Sequence, residues 1–231
     1  MTLDQWRSAP FIFVDDLERP QLTDSDLHHY RTVRRIADGA PITISDGRGG
    51  WRRATFAAAP LPSGEQHVEP VPAAPSVVGF TPVKGGRPEW VVQKLTELGI
   101  DVIVALRTER SVVRWNAERG AKQVERWRVI AREASMQSRR VRIPDVRELA
   151  TLETFDADRS LGGAAVLAEP GAPALDGRVD RVVLIGPEGG WSDGELAGRP
   201  QRSLPGGILR AETAALAAGV ILASAADDMA P

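Results

Sequence analysis

Four stretches of this chain combine residue types and spacings that could do chemistry. The first is Val182-Val183-Leu184-Ile185-Gly186-Pro187-Glu188-Gly189-Gly190-Trp191-Ser192. It reads as a buried strand running into a glycine-rich loop, followed by a helix that Ser192 and Glu195 cap. Glycines at the carboxyl end of a strand let backbone amides and carbonyls approach a ligand closely, and open α/β sheets bind ligands at that end. Pro187 and Gly189 suit a turn in which Gly189 takes a positive φ. The loop has neither the G-x-G-x-x-G spacing of a dinucleotide site nor the Lys-Ser/Thr pair of a phosphate loop. An ordinary strand-to-helix turn would share its composition.

The second stretch, Leu204-Pro205-Gly206-Gly207-Ile208-Leu209-Arg210-Ala211-Glu212-Thr213-Ala214-Ala215, is another Pro/Gly loop leading into a helix. Glu212 suits the positive end of that helix, as a simple cap or as a partner for Arg210. The third is Lys84-Gly85-Gly86-Arg87-Pro88-Glu89, where Lys84 and Arg87 at a helix start could hold a phosphate. Lys94 and Glu97 then follow at a pairing distance of three residues. The fourth is Glu133-Ala134-Ser135-Met136-Gln137-Ser138-Arg139-Arg140, in which Gln137 could hydrogen-bond a base or face solvent.

Other chemistries are excluded by composition. The 231 residues contain no Cys, so disulfides, thiolate metal sites and cysteine nucleophiles are out. Three His, two of them adjacent (His28 and His29), make a histidine metal cage improbable, and no metal is expected. No basic segment precedes an apolar one at the start of the chain, and the longest apolar run, Ala214–Ala226, is too short and too Ala-rich to span a bilayer. A soluble cytoplasmic protein without membrane contact is the expectation. The net charge of −2 is unevenly distributed: residues 107–142 hold eleven Lys or Arg against four Glu. Such a segment is a possible polyanion footprint, though a solvated helix face gives the same count.

These residues need elements to position them. Residues 1–73 read as a small β-rich unit: a strand at Phe11–Val14, a helix opened by Thr23 and running through Arg35, and a hairpin from Ile42 and Ile44 over Asp46–Gly50 to Trp51–Ala57. A further strand is expected near His67–Val71, and a small barrel would accommodate the set. Five prolines between Pro60 and Pro75 mark the boundary. Residues 76–231 alternate strands and helices: strands at Ser76–Val83, Ile100–Leu106, Ala164–Ala168 and Val182–Ile185; helices from Pro88 to the Gly99 cap, over Glu118–Arg139 and over Ala211–Ala226. That alternation predicts an α/β domain with a mostly parallel sheet covered on both faces.

Taken in order, KGGRPEWVVQKLTELGID, RWRVIAREASMQSRRVRIP, LIGPEGGWSDGE and ILRAETAAL resemble the ribosomal RNA small-subunit methyltransferase E family across most of residues 76–222. Pro10–Val14, His28-His29, Val33–Arg35 and the Asp46–Gly50 turn add a weaker N-terminal match. The resemblance implies a SPOUT-type α/β domain with a C-terminal trefoil knot, preceded by a PUA-like or OB-like β-barrel that presents RNA, in a homodimer. Topology rules alone would not choose a knot. It implies S-adenosylmethionine as cofactor and N3 of a uridine in 16S ribosomal RNA, conventionally uridine 1498, as the methyl acceptor, with that RNA or the small ribosomal subunit as partner. The cofactor would lie among Leu167, Ala168 and Glu169, then Ile185, Gly186, Pro187, Gly189 and Gly190, then Leu204, Ile208, Leu209 and Ala214. Candidate RNA contacts are Arg35, Lys84, Arg87, Arg114, Gln137, Arg139 and Arg140, with Trp115 beside them. The chain departs from the family at Leu204-Pro205-Gly206-Gly207, where Leu-Gly-x-Arg is common, and at Phe11, where Arg often follows the proline.

Uridine N3 faces the pairing partner and carries a proton, so the base must be unpaired or extruded and the proton must leave. A positioned base contributes about 10²–10⁴-fold, and a cation near the uracil oxygens stabilises the developing anion. Arg210 is the candidate cation, and Glu188 or Glu212 the base or its orienter. Two alternatives remain: a non-catalytic RNA-binding assembly factor that retains the fold, and a nucleotide-dependent α/β enzyme built on the Gly186–Gly190 loop.

Overall fold

The computed structural model describes residues 9–84, 87–161 and 164–229. Gly85 and Gly86 of the Lys84–Arg87 stretch lie outside the described residues. The chain forms two compact units, one of residues up to Val71 together with Ser135–Ile143, the other of Pro72–Ala134 and the remainder from Pro144.

The first unit contains β1 (Phe11–Phe13), α1 (Asp24–Thr32), β2 (Pro41–Ser45), β3 (Gly50–Thr55) and β4 (Leu61–Val68). The four strands form one sheet in the order β1-β2-β3-β4, with β1 parallel to β2 and the other pairs antiparallel. The hairpin between β2 and β3 turns on Asp46, whose Oδ1 accepts from the backbone N–H of Arg48 and Gly50 at 2.7 and 3.0 Å. Thr23 caps α1, accepting from Asp26 N–H at 3.1 Å. The helix stops at Thr32 rather than Arg35, because Arg35 takes the left-handed conformation (φ 52°) and turns the chain. The last strand begins earlier than its expected His67–Val71; it pairs with β3 from Leu61, so the antiparallel ladder rather than local composition sets its start. Ile12, Tyr30, Ile42, Ile44 and Phe56 fill the core. The Ser135–Ile143 segment, read from sequence as part of the second domain, is held here: Ser45 Oγ–H and Gly49 N–H both donate to Val141 O, at 3.1 and 2.9 Å.

The second unit is a six-stranded, wholly parallel sheet in the order β10-β8-β9-β5-β6-β7. Its chain order is β5 (Val77–Phe80), α2 (Arg87–Glu97), β6 (Val102–Leu106), α3 (Ala117–Ser138, its end belonging to the first unit), β7 (Asp145–Ala150), α4 (Leu152–Ala157), a 3₁₀ turn, β8 (Val166–Ala168), β9 (Val182–Ile185), α5 (Asp193–Leu196), β10 (Gln201–Arg202) and α6 (Ala211–Met229). The apolar runs become the central strands β5, β6 and β9, whose residues are all buried. On α3, Val124, Trp127, Ala131 and Ala134 are the predicted buried stripe. Gly99 caps the turn after α2 with φ 92°. The α6 helix packs on α2, β5 and β9. Phe80 lies opposite Ile185, so the carboxyl ends of β5 and β9 open side by side onto the loops that carry the motifs.

Candidate functional site

The loops after β8, β9 and β10 and the first turn of α6 enclose a cleft of about 380 Å³, within the usual range for small-molecule sites. Ala168, Glu169, Ile185, Gly186, Pro187, Gly190, Leu204, Ile208, Leu209 and Ala214, all expected at a cofactor site, line it. Leu167 does not: it is fully buried in the core of the second unit. Gly189 does not either; its carbonyl faces Arg110, which donates from Nη1 at 3.0 Å. Pro170, Gly171 and Ser203 also line the wall, with no motif to announce them, as does Trp191, which stands within the glycine-loop motif but is not among the residues expected at the site.

The glycines serve different purposes. Gly186 is needed by Trp191, since a Cβ at residue 186 would stand 2.9 Å from Cε2 of that indole. Trp191 is 3% exposed and donates from Nε1 to Ala168 O at 3.0 Å, so one buried ring ties the β8 and β9 loops together. The positive φ expected at Gly189 falls instead on Gly190 (φ 68°), because Gly190 N–H closes the turn onto Pro187 O at 2.9 Å and then redirects the chain to Trp191. Ser192 and Glu195 make the predicted reciprocal cap of α5. Glu195 does more: its Oε1 accepts from Glu109 N–H at 2.9 Å, pinning the turn after β6 to the glycine loop.

The cleft's electrostatics are distinctive. Among the described residues its wall carries two carboxylates, Glu169 and Glu188, and no Lys or Arg. Such a wall suits a cationic or neutral ligand with hydroxyl groups and is wrong for a nucleotide polyphosphate. A second cleft, of about 420 Å³, shares the Pro187–Glu188 wall and is lined on its other sides by Pro82, Val83, Lys84, Arg87 and Val112. Its cations are thus separated from the first cleft by one loop.

The three expected catalytic residues are differently placed. Glu188 is exposed on the wall common to both clefts. Arg210 is exposed, flanked in sequence by the cleft-lining Leu209 and Ala211, but lines neither cleft itself. Glu212 is largely buried (12% exposed) and pairs with Arg87 at 3.2 Å rather than with Arg210, leaving its Oε2 buried without a hydrogen-bond partner. Of the expected RNA contacts, Lys84 and Arg87 meet in the second cleft, and Arg114 is exposed in the same unit. Arg35, Gln137, Arg139 and Arg140 belong to the first unit. There Arg139 ends α3 in the left-handed conformation (φ 61°), and Arg140 N–H donates to Ser135 O at 2.9 Å. Among the described residues no cluster could hold a metal ion, and no helix is long and apolar enough to cross a membrane.

Comparison with known proteins agrees with this geometry. The RNA methyltransferase domain profile matches residues 70–223. Ribosomal RNA small subunit methyltransferase E of Mycobacterium bovis is 32% identical over 219 residues, covering 82% of this chain and 80% of its own. A methyltransferase of Legionella pneumophila, solved in complex with the bound cofactor SAM, superposes with a TM-score of 0.80 at 26% identity, over 94% of this chain and 98% of its own. Ribosomal RNA small subunit methyltransferase E of Neisseria gonorrhoeae, bound to S-adenosyl methionine, superposes with a TM-score of 0.77 at 26% identity, over 94% and 97% of the two chains. With the glycine loops, the acid-lined cleft and these relatives together, the chain belongs to the ribosomal RNA small subunit methyltransferase E family of RNA methyltransferases.

Proposed function

We propose that this protein transfers a methyl group from S-adenosylmethionine to N3 of a uridine in 16S ribosomal RNA, the position conventionally numbered 1498. One observation carries the reading: a cleft with carboxylates and, among the described residues, no cations shares the Pro187–Glu188 wall with a cleft bearing Lys84 and Arg87. The first fits S-adenosylmethionine, which is positively charged at sulfur and has ribose hydroxyls for a carboxylate such as Glu169 to accept from. The second fits a phosphate-bearing substrate. The cofactor, when bound, supplies an electrophilic methyl group. The residues of the chain do the rest. Backbone groups of Gly186–Gly190 and of the Leu204–Leu209 loop hold and orient the ligand. Lys84 and Arg87 hold RNA phosphate, with Glu212 orienting Arg87. Glu188, at the common wall, takes or directs the N3 proton, and Arg210 is the cation for the uracil oxygens. Alignment of the methyl group with N3, where the two clefts meet beside Glu188, is itself worth about 7–11 kcal/mol in favourable cases.

The finer architecture belongs to the same proposal. The chain order places β9 between β8 and β5, with α6 packed beneath it, and this insertion supports a C-terminal trefoil knot. The four-stranded sheet of the first unit is proposed to be part of a PUA-like barrel that presents RNA, within a cytoplasmic homodimer. The Leu204–Gly207 departure leaves the cleft open, since Leu204, Gly206 and Gly207 all line it, and this favours an enzyme over a non-catalytic assembly factor. Calorimetric titration tests the cofactor assignment. Saturable binding of S-adenosylmethionine, with none of NAD or ATP, is expected; binding of either nucleotide instead overturns the assignment.

A further inference from the structure

The same carboxyl edge of the parallel sheet carries a third hollow, of about 510 Å³, that the reaction above does not use. Arg107, Glu109, Arg114, Trp115, Leu152 and Glu195 are among its lining residues. Arg107 directly follows β6, and its backbone N–H donates to Ala150 O at 2.8 Å, which fixes the root of its side chain. Both Arg107 and Arg114 are exposed, and neither guanidinium has an ion-pair partner among the described residues. Neither lining carboxylate forms an ion pair with them among the described residues: Glu195 is turned to the backbone, accepting from Glu109 N–H and Ser192 N–H, each at 2.9 Å, and Glu109 pairs with neither arginine. Trp115 is half-buried. The fully buried indole of Trp127 meets it edge to face, with ring centroids 5.9 Å apart, and so backs it rigidly.

A buttressed indole with two unpaired guanidiniums beside it has the composition that binds single-stranded nucleic acid: an aromatic face for a base and cations for the adjoining phosphates. We propose that this hollow holds a nucleobase of the RNA strand flanking the methylated nucleotide, stacked on Trp115, with Arg107 and Arg114 on the neighbouring phosphates. The inference rests on the RNA methyltransferase reading and adds to it a second point of attachment outside the two clefts. Two points of attachment fix the direction of the strand, whereas the target nucleotide alone does not.

The test uses the full chain and a fluorescein-labelled single-stranded RNA of a dozen nucleotides of mixed sequence. Trp115→Ala is expected to weaken binding roughly tenfold, and Trp115→Phe, which keeps a ring, to restore most of it. Arg114→Ala, an exposed change with no core consequence, is expected to reduce the slope of log affinity against log salt by about 0.7. In methyl transfer to small-subunit RNA, KM for RNA should rise more than kcat falls in each Ala variant, with affinity for S-adenosylmethionine unchanged. Two results overturn the site: a parent chain that does not bind the oligonucleotide, or Trp115→Ala and Arg114→Ala variants that bind it as the parent does. A parent chain that binds the oligonucleotide through Trp115 but transfers no methyl group overturns the methyltransferase reading and leaves the base site supported. Displacement of the oligonucleotide by an acidic peptide at equal concentration would overturn the assignment to RNA.

Discussion

At Gly186 a methyl group would stand 2.9 Å from a buried indole that also bonds Ala168 O, so the ring cannot yield without moving the β8 loop. Gly186→Ala is therefore expected to cut affinity for S-adenosylmethionine at least tenfold while the protein remains folded; calorimetry on a variant with a native melting profile checks it. A glycine-rich loop was legible in the sequence, but its division of labour was not, because Trp191 packs on Gly186 through a turn that only the Gly190–Pro187 hydrogen bond defines. Arg139 presents the converse case. A non-glycine residue in the left-handed region costs about 1–2 kcal/mol. Arg139→Gly should hold or raise stability by up to about 1 kcal/mol, and weaken RNA binding if its guanidinium contacts phosphate. Chemical denaturation and RNA titration, run together, separate the two roles.

The elements that bury the most apolar surface were the ones legible in the sequence. The β9 strand, the α2 helix with its Gly99 cap and the α3 stripe follow from periodicity, because burial on one stripe or on both faces leaves a plain apolar pattern. The edge elements were not legible. In β7, Asp145–Ala150, the charges of Asp145, Arg147 and Glu148 break both alternation and any long apolar run, and the two-residue β10 has too little sequence to carry a period. These strands form because β6 and β8 offer them open ladders. Helix packing supplies a prediction at this scale. A Cβ at Gly219 would lie 2.8 Å from Leu95 Cδ2 and 3.2 Å from Leu98 Cδ1, so α6 approaches α2 through a glycine. Gly219→Val should destabilise by roughly 1–3 kcal/mol through overpacking, read from the denaturation midpoint. The turn after α4 gives a pH dependence. Hydrogen bonds from Ser160 and the nearby Arg147 hold the Asp158 carboxyl below its ordinary value of 3.8. A lowered folded-state value stabilises the fold above the unfolded value, and that contribution disappears as pH falls through the folded one. The stability gap between the parent and Asp158→Asn should be full at neutral pH and close below about pH 3.8; equal gaps at pH 7 and pH 3 would contradict it.

For the whole molecule, local pattern reaches its limit at topology. An alternating strand–helix sequence announces a parallel sheet, yet the placement of β9 between β8 and β5 reverses the simplest winding order. Periodicity carries no information on that order, yet the two separated glycine loops converge on one cleft. The same convergence sets a carboxylate-lined hollow against a cationic one across Pro187 and Glu188, and the account depends on that adjacency. It is tested most directly by incubating the protein with S-adenosylmethionine and small ribosomal subunits whose RNA lacks the modification, then digesting the RNA to nucleosides for mass spectrometry. One 3-methyluridine per subunit is expected, at a single uridine of the 16S RNA, and it should be lost in Gly186→Ala. Methylation at a ribose hydroxyl or at another base position, or no methylation of RNA by a protein that binds the cofactor, would contradict it.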